Sequence, residues 1–259
     1  MLKKRLIGAV VVKNNIAVQS FGYRKYLPLG KVEHLVENLD RWGADEILVS
    51  VIDRSSCDAG PDFDLVRSLA KLNLSTPLIY AGGIRGVDDA VEIIKSGADR
   101  VCVDSLLHED VNVVSKISHA IGQQAVIGSL PVFYDGCSVR WTDYKSGTDI
   151  ELNEEVMQSL SELVSEFLII DWKNQGGRNR FDENIVRYLP EVACSCIVTG
   201  GLSEPQQIKQ YIDMDRVSAI AVGNSLNYRE NSVQTLKEIT MNEQLRPAYY
   251  DECFRLNYE

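Results

Sequence analysis

The stretch YAGGIRG (Tyr80–Gly86) ends an apolar run with a glycine pair, and VTGGLSE (Val198–Glu204) repeats this arrangement almost half a chain length later. After each pair the sequence continues with a helix-like segment, an Asp-Arg step that begins at Asp99 or Asp215, and another apolar run. A β/α pattern that is repeated in this way indicates a fold built from two equivalent halves.

Eight apolar runs of strand length alternate with helix-like segments along the chain. Most are rich in Val and Ile and lack strict polar alternation, which is typical of parallel strands that are covered on both faces. Eight β/α units in 259 residues predict a TIM (β/α)8 barrel with a two-fold half-barrel repeat, and a doubly wound open sheet is the alternative. The runs are RLIGAVVV, EILVSVI, PLIYAGG, RVCVDS, AVIGSLPVF, EFLIIDW, CSCIVTGG and AIAVGNS, beginning at residues 5, 46, 77, 100, 125, 166, 194 and 219.

Amphipathic periodicity predicts helices between the strands, for example in VEHLVENLDRWG, DFDLVRSLAKLN and VDDAVEIIKSGA, which begin at residues 32, 62 and 87. Gly43 and Gly97 are predicted to stop the first and the third of these helices. The segment VFYDGCSVRW predicts a β-hairpin with its turn at Asp135 and Gly136. No linker is evident, so we expect one domain over residues 1–259, with a short tail from about residue 246 that folds across one barrel end.

The composition excludes several classes of partner. The formal net charge is −10, which argues against nucleic acid and anionic membranes. No run approaches the ~18 apolar residues that a spanning helix needs. The six cysteines form no C-x-x-C pair, so we expect reduced thiols in a cytoplasmic protein. The three histidines lack metal-ligand spacing, and we expect neither a metal ion nor a cofactor.

Loops after the strands carry the residues predicted to bind a phosphorylated small molecule. Glycine at a step from strand to helix lets an anion approach the backbone amides, and such loops at the C-terminal face of a barrel commonly hold phosphate. Turn geometry alone is the alternative, and Asp104 counts against the first site because a carboxylate repels phosphate. The first site is predicted at Gly82, Gly83, Asp104 and Ser105, and the second at Gly200, Gly201, Gly223, Asn224 and Ser225.

The motifs MLKKRLI, GADEILV, AGGIRGVDDAVEIIKSGADRVCVDS and TGG, in this order, resemble the HisF family, the cyclase subunit of imidazole glycerol phosphate synthase. The resemblance covers essentially the whole chain. It implies a (β/α)8 barrel and a lyase of histidine biosynthesis that acts on a bisphosphorylated ribonucleotide. It also implies a separate HisH glutaminase, whose ammonia enters the barrel at the N-terminal end and travels to the active site at the other end.

The sequence departs from the HisF pattern at the positions of catalytic groups. The family has aspartates at the ends of the first and fifth strands, a lysine in the first loop and an acidic segment after the sixth strand. Side chains without a carboxyl cannot replace these acids in proton transfer, so whether the chain is itself an enzyme stays open. The resemblance assigns these positions to Val11, Leu130, Gln19 and Gln175. The acids near strand ends that are candidates to replace them are Asp53, Asp104 and Asp171.

Charged residues stand just before four of the predicted strands. In HisF, a ring of alternating charges at these positions closes the lower mouth of the barrel and gates ammonia, whereas the simpler explanation is that charges flank strands to meet water. Opposite charges can satisfy one another in a narrow, partly desolvated ring. The predicted gate consists of Arg5, Glu46, Arg100 and Glu166, and we expect Asp45 and Asp99 beside it to face the glutaminase.

The chain thus has the charged residues of HisF at the N-terminal end of the barrel but lacks the catalytic residues at the other end. In this combination it resembles the HisF-like paralogues of surface-polysaccharide (lipopolysaccharide) biosynthesis. The resemblance implies that a HisH-like and HisF-like pair supplies ammonia to a third protein, an amidotransferase that acts on a sugar nucleotide to make an acetamidino sugar. A true cyclase with displaced catalytic groups is one alternative, and a phosphosugar-binding or isomerising barrel is another. Basic residues on the catalytic face are candidates to hold the sugar nucleotide or to dock an acceptor enzyme, and solvated loop charges are the alternative. They are Arg24, Lys25, Lys173, Arg178 and Arg180.

Overall fold

The computed structural model describes residues 3–57, 59–228, 232–240 and 245–247. Its strands are β1 (Arg5–Lys13), β2 (Ile16–Phe21), β3 (Lys25–Gly30), β4 (Glu46–Val51), β5 (Leu78–Ala81), β6 (Arg100–Val103), β7 (Val126–Tyr134), β8 (Val139–Asp143), β9 (Thr148–Glu151), β10 (Glu166–Asp171), β11 (Ser195–Thr199) and β12 (Val217–Val222). Its helices are α1 (Val32–Arg41), α2 (Phe63–Ala70), α3 (Val87–Ser96), α4 (Ser105–Glu109), α5 (Val111–Ile121), α6 (Glu154–Ser161), α7 (Glu183–Tyr188), α8 (Pro205–Ile212) and α9 (Ser232–Thr240).

Eight of these strands close a parallel barrel. Around the barrel they follow the order β1, β4, β5, β6, β7, β10, β11 and β12, and β12 pairs with β1 again. Each of the eight predicted apolar runs supplies one of these strands. The predicted TIM barrel is therefore confirmed, and the open, doubly wound sheet is excluded. Gly43 and Gly97, the predicted helix stops, have positive φ angles of 77° and 118° after α1 and α3.

The two halves of the barrel begin in the same way. The first strand of each half, β1 or β7, is nine residues long and extends beyond the barrel wall. There β1 pairs with β2 and β7 pairs with β8, both in antiparallel register. The predicted hairpin around Asp135 and Gly136 is confirmed as the turn between β7 and β8, whereas the hairpin of β2 and β3 is not predicted from the sequence.

The barrel wall separates two apolar regions, because successive residues of a strand point to opposite faces. On β1, Leu6 packs in the outer layer against the helices, whereas Ile7 packs inside the barrel. The interior is apolar along most of its length. Its side chains include Ile7, Leu48, Ile79, Cys102, Ile127, Leu168, Ile197 and Ala219.

The predicted tail lies mostly outside the described residues. Within them, Leu245 forms a parallel bridge with Lys4, and the Arg246 amide donates a hydrogen bond of 3.2 Å to the Lys4 carbonyl. These contacts tie residues 245 and 246 to the chain just before β1. In the part of the chain that the structure describes, no helix has the length and apolar character required to cross a membrane.

Candidate functional site

A cavity of about 810 Å³ opens at the C-terminal ends of the barrel strands. Loops that follow all eight barrel strands contribute to its border, and this is the face at which TIM-barrel proteins hold their ligands. The nine residues predicted to bind phosphate are brought together here, although phosphate binding itself stays a prediction. They are Gly82, Gly83, Asp104, Ser105, Gly200, Gly201, Gly223, Asn224 and Ser225.

The repeated glycine pairs have a structural cause of their own. Gly82, Gly83, Gly200 and Gly201 all have positive φ angles, between 70° and 129°, which disfavour any residue with a Cβ. A Cβ on Gly83 would lie 2.4 Å from the Gly60 carbonyl oxygen, and one on Gly200 would lie 2.5 Å from the Asp171 carbonyl oxygen. The fold therefore requires both pairs whether or not an anion binds beside them.

Some polar groups of the predicted phosphate loops form hydrogen bonds within the protein, and one hydroxyl does not. The Gly83 amide donates a hydrogen bond of 3.2 Å to Ser55 Oγ. Asn224 donates through Nδ2 to the Ser20 carbonyl at 2.8 Å, which ties the loop after β12 to β2. The hydroxyl of Ser225 is buried and has no hydrogen-bond partner among the described residues. The second loop therefore keeps a donor for a ligand.

The two positions assigned to catalytic aspartates differ in their surroundings. Val11 lies on the inner face of β1 and borders the cavity. Leu130 has no exposed surface and packs in the outer layer between β7 and the helices, so the structure corrects its assignment to the catalytic face. The β7 residues that border the cavity are Ser129 and Pro131, because a shift of one residue exchanges the two faces of a strand. None of the three cavity residues carries a carboxyl group.

The two glutamines at the other family positions also differ. Gln19 is buried in β2, where it lies opposite Leu27 of β3, and the structure does not place it on the cavity border. Gln175 borders the cavity. Its carbonyl accepts a hydrogen bond of 2.8 Å from the Gly22 amide, so it joins the loop after β10 to the loop after β2.

Three acids are predicted as possible replacements for the catalytic aspartates, and one of them borders the cavity. The Asp53 carboxylate accepts a hydrogen bond of 2.7 Å from the Asn14 amide and lies away from the border. Asp171 is buried and accepts hydrogen bonds from Asn174 Nδ2 at 2.8 Å and from the Asp182 amide at 2.9 Å. Asp171 therefore organises the loop after β10, and Asp104 is the candidate that faces the cavity.

Among the described residues, no lysine or arginine forms an ion pair with the carboxyl group of Asp104. Its Oδ2 accepts a hydrogen bond of 2.8 Å from Ser129 Oγ. Its Oδ1 is buried and has no partner within the described ranges. Burial raises the pKa of Asp104 to about 7, the Ser129 bond opposes this rise, and the charge of Asp143 adds to it. A carboxyl group with a pKa near neutrality can both bind and release a proton in the physiological range.

Sequence reasoning missed the residues that surround Asp104. Ser129 comes from β7, Tyr23 from the turn between β2 and β3, and Tyr144 from the turn between β8 and β9; all three border the cavity or its apolar floor. Burial, followed by the charge of Asp104, raises the pKa of both tyrosines. No motif marks these residues, because they meet only when the two hairpins fold over the barrel.

At the opposite end, the four predicted gate residues form a closed ring of ion pairs. Arg5 contacts Glu46 at 3.1 Å and also pairs with Glu166. Arg100 contacts the same two carboxylates, Glu46 at 3.4 Å and Glu166 at 2.7 Å. The four side chains are between 9% and 14% exposed. The structure thus brings these residues together across the N-terminal mouth, and their role as an ammonia gate stays a prediction.

Within the ring, opposite charges counter the effect of burial on the pKa values of Glu166 and Arg5. Burial alone would raise the pKa of Glu166, but Arg5, the hydrogen bond from Ser218 and Arg100 together lower it below its usual value. Burial alone would lower the pKa of Arg5, but Glu166 and Glu46 raise it. The charges of Glu166 and Arg5 are therefore kept by their neighbours in a site that water reaches poorly.

The two aspartates beside the ring have structural partners. Asp45 accepts hydrogen bonds from the Leu6 amide at 2.7 Å and from Lys237 Nζ at 2.9 Å, and its side chain is 7% exposed. The expectation that Asp45 faces a partner protein is therefore wrong, because the carboxylate is buried against β1 and α9. Asp99 is exposed, but its carboxylate also accepts the Leu78 amide at 2.8 Å; an interface role for Asp99 stays a prediction.

The five basic residues predicted on the catalytic face differ in their distance from the cavity and in their partners. Arg24 and Arg178 border the cavity, and Arg178 pairs with Glu204 at 2.8 Å. The Lys173 ammonium lies 3.1 Å from the centre of the Phe133 ring, a cation–π contact. Lys25 and Arg180 are exposed. Arg24 is therefore the arginine best placed to meet an anionic ligand in the cavity.

Comparison with known proteins gives a consistent result along the chain. The sequence profile of a family described as "Histidine biosynthesis protein" matches residues 5–232. A protein of Vibrio vulnificus (strain YJ016), provisionally named imidazole glycerol phosphate synthase subunit hisF2, is 28% identical over 248 residues, which cover 95% of this chain and 91% of the relative. The imidazole glycerol phosphate synthase subunit HisF of Natranaerobius thermophilus is 26% identical over 92% of this chain and 95% of its own length. The subunit of the same name from Geobacillus thermodenitrificans is 26% identical over 92% and 96%.

Proposed function

Because the chain belongs to the HisF family of histidine biosynthesis proteins, we propose that it is the barrel subunit of a glutamine amidotransferase complex. It receives ammonia from a HisH-like glutaminase at the N-terminal mouth and conducts it through the barrel to the cavity at the other end. The acceptor is a sugar of a surface polysaccharide, which the cavity or a third, amidotransferase protein holds as a sugar nucleotide.

The observation that carries this proposal is the ion-pair ring of Arg5, Glu46, Arg100 and Glu166. Four buried charges are costly to assemble, and packed apolar side chains often stabilise a fold equally well. Their position at the mouth of an apolar interior supports a role in controlling entry. Ammonia is neutral and passes an apolar passage as NH3, whereas a charged ion pays a large desolvation cost there.

The cavity supports a departure from the cyclase reaction. Its borders on β1 and β7 carry Val11, Ser129 and Pro131, and these side chains cannot exchange protons as carboxylic acids do. Losing one essential acid–base group typically costs on the order of 10²- to 10⁴-fold in rate. Arg24 and the buried hydroxyl of Ser225 are groups that favour an anionic ligand such as a phosphorylated sugar.

Co-expression with a HisH-type glutaminase from the same genome tests the proposal. We expect the two chains to co-purify, and we expect Arg5→Ala to change the rate at which the complex hydrolyses glutamine. Arg67→Ala is the matched control, because Arg67 also forms ion pairs with two carboxylates but on an exposed helix face. A folded barrel that binds no glutaminase would overturn the proposal and favour a phosphosugar-binding or isomerising barrel.

The second candidate function is imidazole glycerol phosphate synthesis with displaced catalytic groups. Asp104 favours it, because this acid borders the cavity and has a pKa near neutrality. Expression in a histidine auxotroph that lacks the cyclase decides between the two functions. Growth without histidine, lost in the Asp104→Asn variant, would support the cyclase, and no growth despite well-expressed protein would exclude it.

A further inference from the structure

Asp104 lies where the apolar interior of the barrel meets the cavity. Cys102 on β6 belongs to the interior cluster, and Asp104, the first residue after β6, borders the cavity. A ligand that moves from the ion-pair ring through the interior meets this carboxyl group as it enters the cavity. The position is therefore suited to a group that receives what the interior delivers.

The surroundings of Asp104 leave one oxygen atom for a ligand. Ser129 Oγ donates a hydrogen bond of 2.8 Å to Oδ2, whereas Oδ1 is buried and has no partner within the described ranges. A buried acceptor without a donor is unfavourable, and it is more so when it is charged. A small donor that fills this position removes this penalty.

We propose that Asp104 binds the ammonia-derived nitrogen through Oδ1 as the nitrogen reaches the cavity, and that it then takes the proton which this nitrogen loses on bonding to the acceptor. This inference rests on the proposed conduit function. It assigns a catalytic carboxyl group to the residue that directly follows β6, whereas β1 and β7 carry no carboxyl group at the cavity.

The proposed step is the addition of NH3 to an acceptor carbon that is doubly bonded to oxygen. The lone pair of NH3 forms a C–N bond, and the π electron pair of the C=O bond moves to its oxygen. The nitrogen now carries a positive charge. One N–H bond breaks, its electron pair stays on nitrogen, and the proton moves to Oδ1 of the Asp104 carboxylate, which becomes a neutral carboxylic acid.

The groups that face Asp104 from the neighbouring elements favour binding of a cationic nitrogen. Cys102, Ser129, Tyr23 and Tyr144 surround it as neutral side chains, and Asp143 contributes a second negative charge. Within the described ranges, Asp104 forms no ion pair with a lysine or arginine. An ammonium ion would supply the missing charge and fill Oδ1 with a hydrogen bond.

Carbon-13 NMR of the aspartate carboxyl groups in the full chain tests the inference without glutaminase or acceptor. The Asp104 resonance is titrated with pH in ammonium chloride and, at equal ionic strength, in potassium chloride. The two cations have similar size, but only ammonium donates hydrogen bonds. We expect proton binding by Asp104 to be about threefold weaker or more in ammonium chloride, because a ligand of the ionised form favours ionisation.

The Asp104→Asn variant identifies the resonance. The internal control is exposed Asp135, whose pKa is lowered by hydrogen bonds from the Ser138 and Cys137 amides, and which should respond to pH equally in both salts. Equal titration of Asp104 in the two salts would overturn the inference. If Asp104 does not bind ammonium but the glutaminase co-purifies, the inference fails and the conduit function stands. If Asp104 binds ammonium but no glutaminase associates, the conduit function fails.

Discussion

Arg100 on β6 and Glu166 on β10 form an ion pair of 2.7 Å that spans β7, the strand lying between them in the barrel. Arg5 on β1 and Glu46 on β4 complete the ring from the same half of the barrel as Arg100, whereas Glu166 belongs to the other half. The ring thus joins the two halves at the N-terminal mouth, below an interior of apolar side chains. Its stability and its effect on ammonia transfer can be measured separately.

Removing one carboxylate of the ring should destabilise the fold. Glu166→Gln leaves Arg5 and Arg100 with one shared carboxylate in a buried site, and we expect the free energy of unfolding to fall by about 3–5 kcal/mol. Urea unfolding at pH 7 measures this change. The control is Glu92→Gln, which removes an exposed partner of Arg67 and should cost less than about 1 kcal/mol. Equal losses in the two variants would contradict a buried, cooperative ring.

Asp104 should make stability depend on pH. Its pKa is about 7 in the folded state against 3.8 for a free side chain, so the folded protein binds more protons than the unfolded chain between about pH 4 and pH 7. Stability from this group is present at low pH and is lost as the pH rises through that window. Asp104→Asn removes the loss, and its stability advantage over the wild type should grow by about 2–3 kcal/mol between pH 5 and pH 8. An advantage independent of pH would refute the raised pKa.

The glycine pairs should prove necessary for folding. Gly83→Ala places a Cβ 2.4 Å from the Gly60 carbonyl oxygen at a φ of +70°, and we expect a loss of about 2–5 kcal/mol. Gly147 has a similar φ of +72°, and no atom lies within 4 Å of the position that a Cβ would take there. Gly147→Ala therefore measures the cost of the backbone conformation alone, about 1–2 kcal/mol. Thermal unfolding of both variants separates the two contributions, and equal losses would show that the close approach at Gly83 relaxes without cost.

Asp45 should act on stability rather than on partner binding. Asp45→Asn leaves the Lys237 ammonium buried without its carboxylate, and a loss of about 3–5 kcal/mol is expected. Asp99→Asn removes the charge on one exposed hydrogen-bond acceptor and should cost about 1 kcal/mol. Glutaminase binding by the folded Asp45→Asn protein should match the wild type, and a clear loss of affinity would restore Asp45 to the interface.

The barrel can be predicted from the sequence because its strands are apolar on both faces. Runs such as EFLIIDW stand out from the amphipathic helices around them, and the duplicated glycine pairs mark two matched strand ends. The hairpin of β2 and β3 is harder to recognise, since KYLPLG in β3 contains a proline and is largely exposed. Such a segment lacks the alternation that marks a strand.

The sequence predicts those site residues that lie at the ends of strands. It does not predict contacts that depend on the face of a strand or on a distant helix. The four ring residues are each the first residue of a barrel strand, so their meeting follows from the fold, and most cavity residues lie at or after the other ends of the strands in the same way. The face occupied by Leu130 could not be fixed, because β7 is buried on both sides and a shift of one residue reverses its orientation. The burial of Asp45 depends on Lys237 of α9, whose position the local sequence does not reveal.

The most direct test of the central claim is the rate of glutamine hydrolysis by a HisH-type glutaminase from the same genome, measured with and without this barrel. Ammonia conduction requires the two proteins to be coupled. We predict a stable complex and faster glutamine hydrolysis with the barrel than without it, and we expect Arg5→Ala to alter this increase. An unchanged rate with folded wild-type barrel, and no complex, would contradict the account.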